Sequence, residues 1–316
     1  MILSELRVAV LLPCFNEEVA ISQTVAGYRA ALPGATIYVY DNNSSDRTAE
    51  IARASGAIVR FERIQGKGAV VRRMFADIDA DVYVMADGDA TYDADAAPGL
   101  IARLIDEQLD MIVGSRISEA ELAYRRGHRF GNALLTGMLA RLFGRSFTDI
   151  LSGYRVFSRR FVKSFPSLSA GFEIETEISV HALELKMPCA EIETRYFARP
   201  EGSTSKLSTY GDGWRILRTI STLYRIERPM LFFGAIGLLL MLVAVVLAVP
   251  LAITYVETGL VPRFPTAILI TGLVILAALN VFAGLILDTV VRGRREVRRL
   301  AYLALQAPGI EAKVVH

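Results

Sequence analysis

The sequence of 316 residues has two cysteines, three histidines, one tryptophan and almost no net charge. Each scarcity excludes something. Cys14 and Cys189 cannot build a disulfide framework, and they read as small buried side chains in a reducing compartment. A formal net charge of +2 gives no ground for a nucleic-acid partner. The opening stretch, MILSELRVAV, lacks the basic region and long apolar run of a signal peptide. No Rossmann or P-loop fingerprint is present, since QGKGAV fits neither pattern. An EF-hand loop starting at Asp87 would need Gly at its sixth position and Glu at its twelfth, where Tyr92 and Pro98 stand. The sequence also lacks internal repeats, low-complexity tracts and a His or Ser constellation suited to nucleophilic catalysis.

What it has in excess is hydrophobicity, at 53% of residues, concentrated near the C-terminus. Met230 to Val249 and Thr266 to Leu287 carry no charge. Each is long enough to cross ~30 Å of hydrocarbon as a helix. Asn280, the one strongly polar side chain in the second run, is expected to find a partner on the first run or on another subunit of a homo-oligomer. Arg218, Arg225 and Arg228 precede the first run, and Arg292, Arg294, Arg295, Arg298 and Arg299 follow the second. The connecting loop has only Arg263. The positive-inside rule then places both termini in the cytoplasm. Between Trp214 and Tyr224, apolar residues recur at helical spacing with arginines between them, as in an interfacial helix. The expected organisation is a cytoplasmic domain over 1–210, an interface helix over 211–229, two spans over 230–288 and a basic cytoplasmic tail over 289–316.

The first 210 residues alternate short apolar runs with helical patterns. RVAVLLP, TIYVYD, AIVRF, VYVMAD and DMIVGS read as strands. Glu17–Ala31, Arg47–Ala54, Gly68–Ile78 and Asp95–Gln108 read as helices. This alternation predicts an α/β fold, a mostly parallel sheet flanked by helices. Ligands of such sheets bind beyond the carboxyl ends of the strands. Polar clusters fall there: PCFNEE, DNNSSD and DGD. Asp87 and Asp89 flank a tight Gly88 turn, and oxygen-only ligands suit Mg²⁺ or Mn²⁺. A plain acidic turn is the alternative.

The ordered set PCFNEE, DNNSSDRT, GKG, DGD, GSR, RFGN, DILSGYR and SKL resembles the family-2 glycosyltransferases. It is most similar to their polyprenyl-phosphate branch, which includes the dolichol-phosphate sugar synthases. The resemblance covers about residues 7–210, and the C-terminal hairpin also resembles bacterial members. It implies a GT-A fold and inverting transfer from a nucleotide-sugar to a polyprenyl phosphate. By that resemblance Pro13, Asn16 and Glu17 hold the base and ribose, Asp41 contacts the nucleoside, and Asp87 and Asp89 hold the metal. Arg116 and Arg129 hold the acceptor phosphate, and Ser205 and Lys206 belong to a basic loop that closes over phosphates. Thr91 stands where mannose synthases often carry a metal-contacting Gln, and DGD replaces the commoner Asp-Ala-Asp. These departures favour UDP over GDP as the carrier.

The chemistry is consistent with the residue types. A phosphate monoester is largely dianionic at neutral pH and needs no general base to attack an anomeric carbon. It needs orientation, which arginine forks supply. Lys67 reads either as a contact of the leaving diphosphate or as a solvated surface lysine at a helix start. Asp46 is expected to cap the helix near Arg47, His181 to be structural, and His128 to lie on the surface. Asp149 and Arg155 flank ILSG and, because SGYR belongs to the motif set of the resemblance, read as a functional position, with a structural pair supporting the acceptor loop as the alternative. Glu173, Glu175 and Glu177 read as a polar helix face or a group near the substrate. Two other functions compete: a processive polysaccharide synthase, and a membrane-anchored nucleotide-sugar binder without activity. The former class carries Gln-x-x-Arg-Trp and more spans, whereas the only tryptophan here lies in DGWR.

Overall fold

The computed structural model describes residues 6–118, 136–138, 140–141, 147–166, 174–200, 218, 221–222 and 225–308. Arg129, His128, Glu173, Ser205, Lys206 and most of the expected interface helix, including Trp214, lie outside them. Two compact units divide the chain: residues 1–216 with 298–316, and residues 217–297.

The first unit is built on a seven-stranded sheet. Its strands are β1 (Val8–Cys14), β2 (Thr36–Asp41), β3 (Ile58–Phe61), β4 (Val82–Met85), β5 (Met111–Ser118), β6 (Arg155–Ser158) and β7 (Cys189–Tyr196). They lie in the order β3-β2-β1-β4-β6-β5-β7. All neighbours are parallel except β6, which runs antiparallel between β4 and β5. β1 and β4 are continuous apolar runs because both of their faces are covered. On one face Val8, Val10 and Leu12 pack with Val82 and Val84 against α1 (Ile21–Ala31), α2 (Thr48–Ala54) and α4 (Ala97–Asp106). On the other, Phe75 of α3 (Lys67–Asp77) makes edge contacts with Tyr83 and Phe157. Phe161 and Phe165, from α5 (Arg159–Ser164) and just beyond it, continue this layer to His181 on α6 (Ile174–Glu184). Ser158 caps α5 by accepting from the Phe161 amide at 3.2 Å.

The expected helices begin or end a few residues from those observed, and β6 and β7 add two strands to the five expected. His181 is buried, as a structural residue should be, with Nε2 3.2 Å from Ser164 Oγ. Burial, reinforced by Arg298, holds its pKa down at about 3. Asp46 accepts from the Thr48 amide at 3.0 Å, holding the first residue of α2 from just outside the N-cap position, which is Arg47 rather than Asp46.

The second unit holds α7 (Pro229–Thr258) and most of α8 (Phe264–Leu303). Both are long and apolar enough to cross a bilayer, with mean hydropathy of 3.0 and 2.5 over their most apolar windows. They run beyond the expected limits, at 30 and 40 residues. Gly259 ends α7 at φ +68°, a left-handed position suited to glycine. The helices pack closely where side chains are small. A Cβ on Gly237 would lie 3.0 Å from the Ala277 carbonyl oxygen, and one on Gly284 3.3 Å from Met230 Cα. Asn280 instead donates to the Leu276 carbonyl of its own helix, at 2.8 Å. Its amide is thereby satisfied by the i−4 position rather than across the hairpin.

The last turns of α8, from Arg298 onward, belong to the first unit. Arg298 pairs with Glu184 at 2.5 Å. Tyr302 donates to Asp110 at 2.8 Å, and Arg160 grips the same buried carboxylate at 2.6 and 2.8 Å while lying over the Tyr302 ring. Within the expected basic tail, the residues from Arg298 to Tyr302 are therefore docked in the first unit.

Candidate active site

The sheet order reverses at β1: the chain moves outward to β2 and β3, then returns to β4 on the other side. Such a switch point opens a crevice at the carboxyl ends of the strands. Pro13, Asn16, Glu17, Asp41, Lys67, Asp87 and Asp89 all stand on the segments that leave these ends or on the next helix start.

The loops after β1 and β2 are stitched together. Asn16 adopts φ +54°. Its amide donates to Ser44 Oγ at 2.9 Å, and its Oδ1 accepts from the Ser45 amide at 2.8 Å. The Glu17 amide donates to Thr48 Oγ1 at 2.8 Å. Asn42 fixes the next loop, donating to the carbonyls of Glu62 and Ile64 and accepting from the Gly66 amide. Asp41 is buried within this framework. Its Oδ2 accepts from the Ser44 amide at 3.2 Å, and its buried Oδ1 has no hydrogen-bond partner among the described residues. Leaving a buried carboxylate oxygen unsatisfied is costly. The geometry suits a ligand N–H or O–H donor at that oxygen.

The Asp-Gly-Asp turn crosses directly above Cys14. A Cβ at Gly88 would lie 2.4 Å from the Cys14 sulfur, so any side chain here would force that sulfur to move. Ala90 then takes φ +58°, and Thr91 folds back onto Asp89. The Thr91 hydroxyl donates to Asp89 Oδ1 at 2.6 Å, and its amide lies 3.3 Å from the same oxygen. Asp89 Oδ2 pairs with Arg199 at 2.6 Å. Burial and the neighbouring Asp87 raise the pKa of Asp89, against the opposing pull of Thr91 and Arg199.

Lys67 is not a solvated lysine. Its ammonium pairs with Asp87 and, at 2.6 Å, with Glu175 of α6. Burial alone would lower its pKa, but the two carboxylates outweigh burial and raise it. Gly153 makes room for this cluster: a Cβ there would lie 2.8 Å from Asp87 Oδ2 and 3.1 Å from Lys67 Nζ. The Gly153 amide donates to the buried Tyr92 hydroxyl at 2.8 Å.

Arg116, near the end of β5, is gripped by Asp149 through Nε at 2.7 Å and Nη2 at 2.8 Å. Its guanidinium lies 5.5 Å from the centroid of the Tyr196 ring. Asp149 thus pairs with Arg116 instead of Arg155. Arg155 is wholly buried and ties the 149–155 loop together, donating to the carbonyls of Ile150 and Ser152 and to Ser179 Oγ. Desolvation lowers its pKa to about 10.

Among the described residues no three His, Cys, Asp or Glu side chains form a ready metal cluster. Two carboxylates leave most of the octahedral positions of a hard divalent cation to be filled, which diphosphate oxygens and water do well. Asp87 and Asp89 fit such an ion as a partial shell completed by substrate. Arg199 and the Glu175–Lys67 pair were not apparent as parts of one site from sequence, since their partners are distant in the chain. The only hint of Arg199 was a cation just after an apolar stretch.

Residues 9–165 match the profile of Glycosyl transferase family 2. Glycosyltransferase AglJ of Haloferax volcanii is 34% identical over 73% of this chain and 76% of its own length. A dolichyl-phosphate hexose transferase of the same organism is 28% identical over 67% of this chain and 91% of its own. Among solved structures, glucosyl-3-phosphoglycerate synthase of Mycobacterium tuberculosis, crystallised with Mn²⁺, UDP and phosphoglyceric acid, superposes with a TM-score of 0.57. It is 22% identical over 69% of this chain and 78% of that one, a likeness of fold. The sheet is accordingly of the GT-A type, and the chain is a glycosyltransferase that belongs to family 2.

Proposed function

We propose that the protein transfers a sugar, with inversion, from a nucleotide-sugar to a polyprenyl phosphate at the cytoplasmic face of a membrane. The observation that carries this reading is a family-2 catalytic unit on a chain that also has two helices of bilayer length. The similarity to a dolichyl-phosphate hexose transferase supports the acceptor class. UDP is favoured as carrier because the match to mannose synthases is incomplete at Gly88 and Thr91, and the fold neighbour holding UDP is compatible with it. In this reading residues 1–210 form the catalytic domain, 211–229 an interface helix, 230–288 the spans and 289–316 a cytoplasmic tail.

The residues divide the work. Pro13, Asn16 and Glu17 shape the nucleoside pocket, and the buried Asp41 Oδ1 accepts from base or ribose. Asp87 and Asp89 would hold Mg²⁺ or Mn²⁺, which when bound offsets charge on the diphosphate. Lys67 stays charged beside Asp87 and adds to the same field. Arg116 and Arg129 orient the lipid phosphate, with Ser205 and Lys206 closing over the phosphates. Asp149 engages two of the five N–H donors of Arg116 and fixes its plane. An oxygen of the lipid phosphate forms a bond to the anomeric carbon as the bond to the diphosphate breaks. The electron pair leaves with the nucleoside diphosphate, and no proton need be removed from the dianionic acceptor.

The test is incubation of membranes containing the protein with a panel of labelled nucleotide-sugars. A chloroform-soluble labelled product that requires added polyprenyl phosphate supports the proposal. A long polymer would identify a processive synthase, and donor binding without any product a non-enzymatic binder.

A further inference from the structure

Asp89 offers one carboxylate oxygen to two claimants. Its Oδ1 is taken by the Thr91 hydroxyl and amide, and the residue is buried. Its Oδ2 meets Arg199 Nη2 at 2.6 Å. With Oδ1 already accepting two hydrogen bonds from Thr91, the oxygen better placed to ligate a divalent cation is Oδ2, the one on Arg199. Asp87 is in a different position. Its cation, Lys67, is 10% exposed at the side chain and is shared with Glu175, itself 6% exposed. Lys67 keeps a carboxylate partner if Asp87 turns to another ion. Arg199 is 29% exposed and stands on the irregular stretch that follows β7. Its backbone is tethered just upstream, where the Phe197 amide donates to the Thr91 carbonyl at 2.8 Å. The guanidinium is the more exposed of the two cations.

We propose that Arg199 is the exchangeable counter-ion of the metal pair, neutralising Asp89 before donor arrives and competing with the divalent cation for Oδ2. Charge supports an exchange over simple addition. Among the described residues, three carboxylates, Asp87, Asp89 and Glu175, face two cations, Lys67 and Arg199. A dication entering while Arg199 stays would reverse the local sign in a partly desolvated site. Departure of Arg199 limits that reversal. Arg199 acts here as a positioning residue. The inference rests on Asp87 and Asp89 being the metal pair, so the experiment separates the two assignments.

The experiment is titration of the detergent-solubilised full chain with Mn²⁺, with free ion read by electron paramagnetic resonance, first without nucleotide and then with UDP. Arg199→Gln should bind Mn²⁺ alone at least about fivefold more tightly than wild type, the scale of one modest ion pair lost. Arg199→Lys, which keeps the charge, should stay nearer to wild type than Arg199→Gln. A merely structural role for Arg199 would leave Mn²⁺ affinity unchanged or weaken it in Arg199→Gln, and either result overturns the exchange. Absence of Mn²⁺ binding by wild type and both variants, with and without UDP, would overturn the metal assignment itself.

Discussion

Gly88 and Cys14 act as one packing unit beneath the acidic turn. An added Cβ would lie 2.4 Å from the buried sulfur. The DGD turn, in place of the commoner Asp-Ala-Asp, suits this packing, because alanine would displace the Cys14 sulfur. Gly88→Ala should cost about 1–3 kcal/mol, the usual scale for overpacking. Cys14→Ala should restore most of it in the double variant, a coupling that urea unfolding of the four proteins of the cycle would measure. Additive costs would show that the two residues are independent. At the neighbouring position, Asp89→Asn should retain the fold and lose about 10²-fold or more in transfer rate, as expected for a key electrostatic group. Transfer assays across a Mn²⁺ series would check it, and wild-type rates at every concentration would remove Asp89 from the metal site. Gly153→Ala tests the cluster from below. Its Cβ would press on Asp87 Oδ2 and Lys67 Nζ. Transfer should fall, with little change in folding if the displaced Lys67 keeps Glu175.

At the scale of elements, α6 carries two different constraints. Its Glu175 reaches into the site, while His181 points into the aromatic layer with Phe161 and Phe165. The His181 pKa of about 3 lies below the ordinary value of 6.5. The unfolded chain therefore binds a proton in this window that the native protein refuses. The stability contribution is fully present above about pH 6.5 and is lost as pH falls toward the folded value, at about 1.4 kcal/mol per pH unit once the unfolded histidine is protonated. His181→Gln should flatten that part of the pH–stability curve relative to wild type, whatever its effect at neutral pH. Parallel curves for the two proteins would show that His181 does not report this burial. Sequence pattern made β1, β2, β3, β4 and β5 legible because each joins an apolar run to a polar turn. β6 was hidden because four residues, Arg155–Ser158, give too short a pattern, and its first side chain is a buried arginine. β7 reads CAEIETRY, a partly exposed edge strand whose charged residues mask the run. The acid pair was legible from local spacing. The pairs Asp89–Arg199, Lys67–Glu175 and Arg116–Asp149 were not, since no periodicity relates residues that meet only through the sheet.

At the scale of the whole molecule, the two bilayer-length helices were plain from composition, but the role of the residues beyond them was not. A run of arginines after an apolar segment reads as a topological signal. In the fold, Arg298 also pairs with Glu184, whose side chain is 3% exposed, and Tyr302 completes the cage of Asp110. A chain cut after Arg228 would remove both contacts along with the apolar helices. Its behaviour could then not be assigned to loss of a membrane anchor alone. Point variants of the full chain separate the effects. Arg298→Ala removes the cation facing a buried carboxylate, and such a loss costs about 3–5 kcal/mol when the pair is fully buried. With Arg298 itself 15% exposed at the side chain, the lower end of that range is expected. Tyr302→Phe removes one hydrogen bond to a charged group, about 1.5–3 kcal/mol. Asp110 keeps Arg160 and Ser158 in that variant, so the smaller value is expected. Urea unfolding in detergent, followed by circular dichroism, would rank them, with Arg298→Ala the more damaging. If both variants unfold like wild type while the truncated chain is weakened, the docked turn contributes nothing to the catalytic unit, and the damage of truncation comes from the helices.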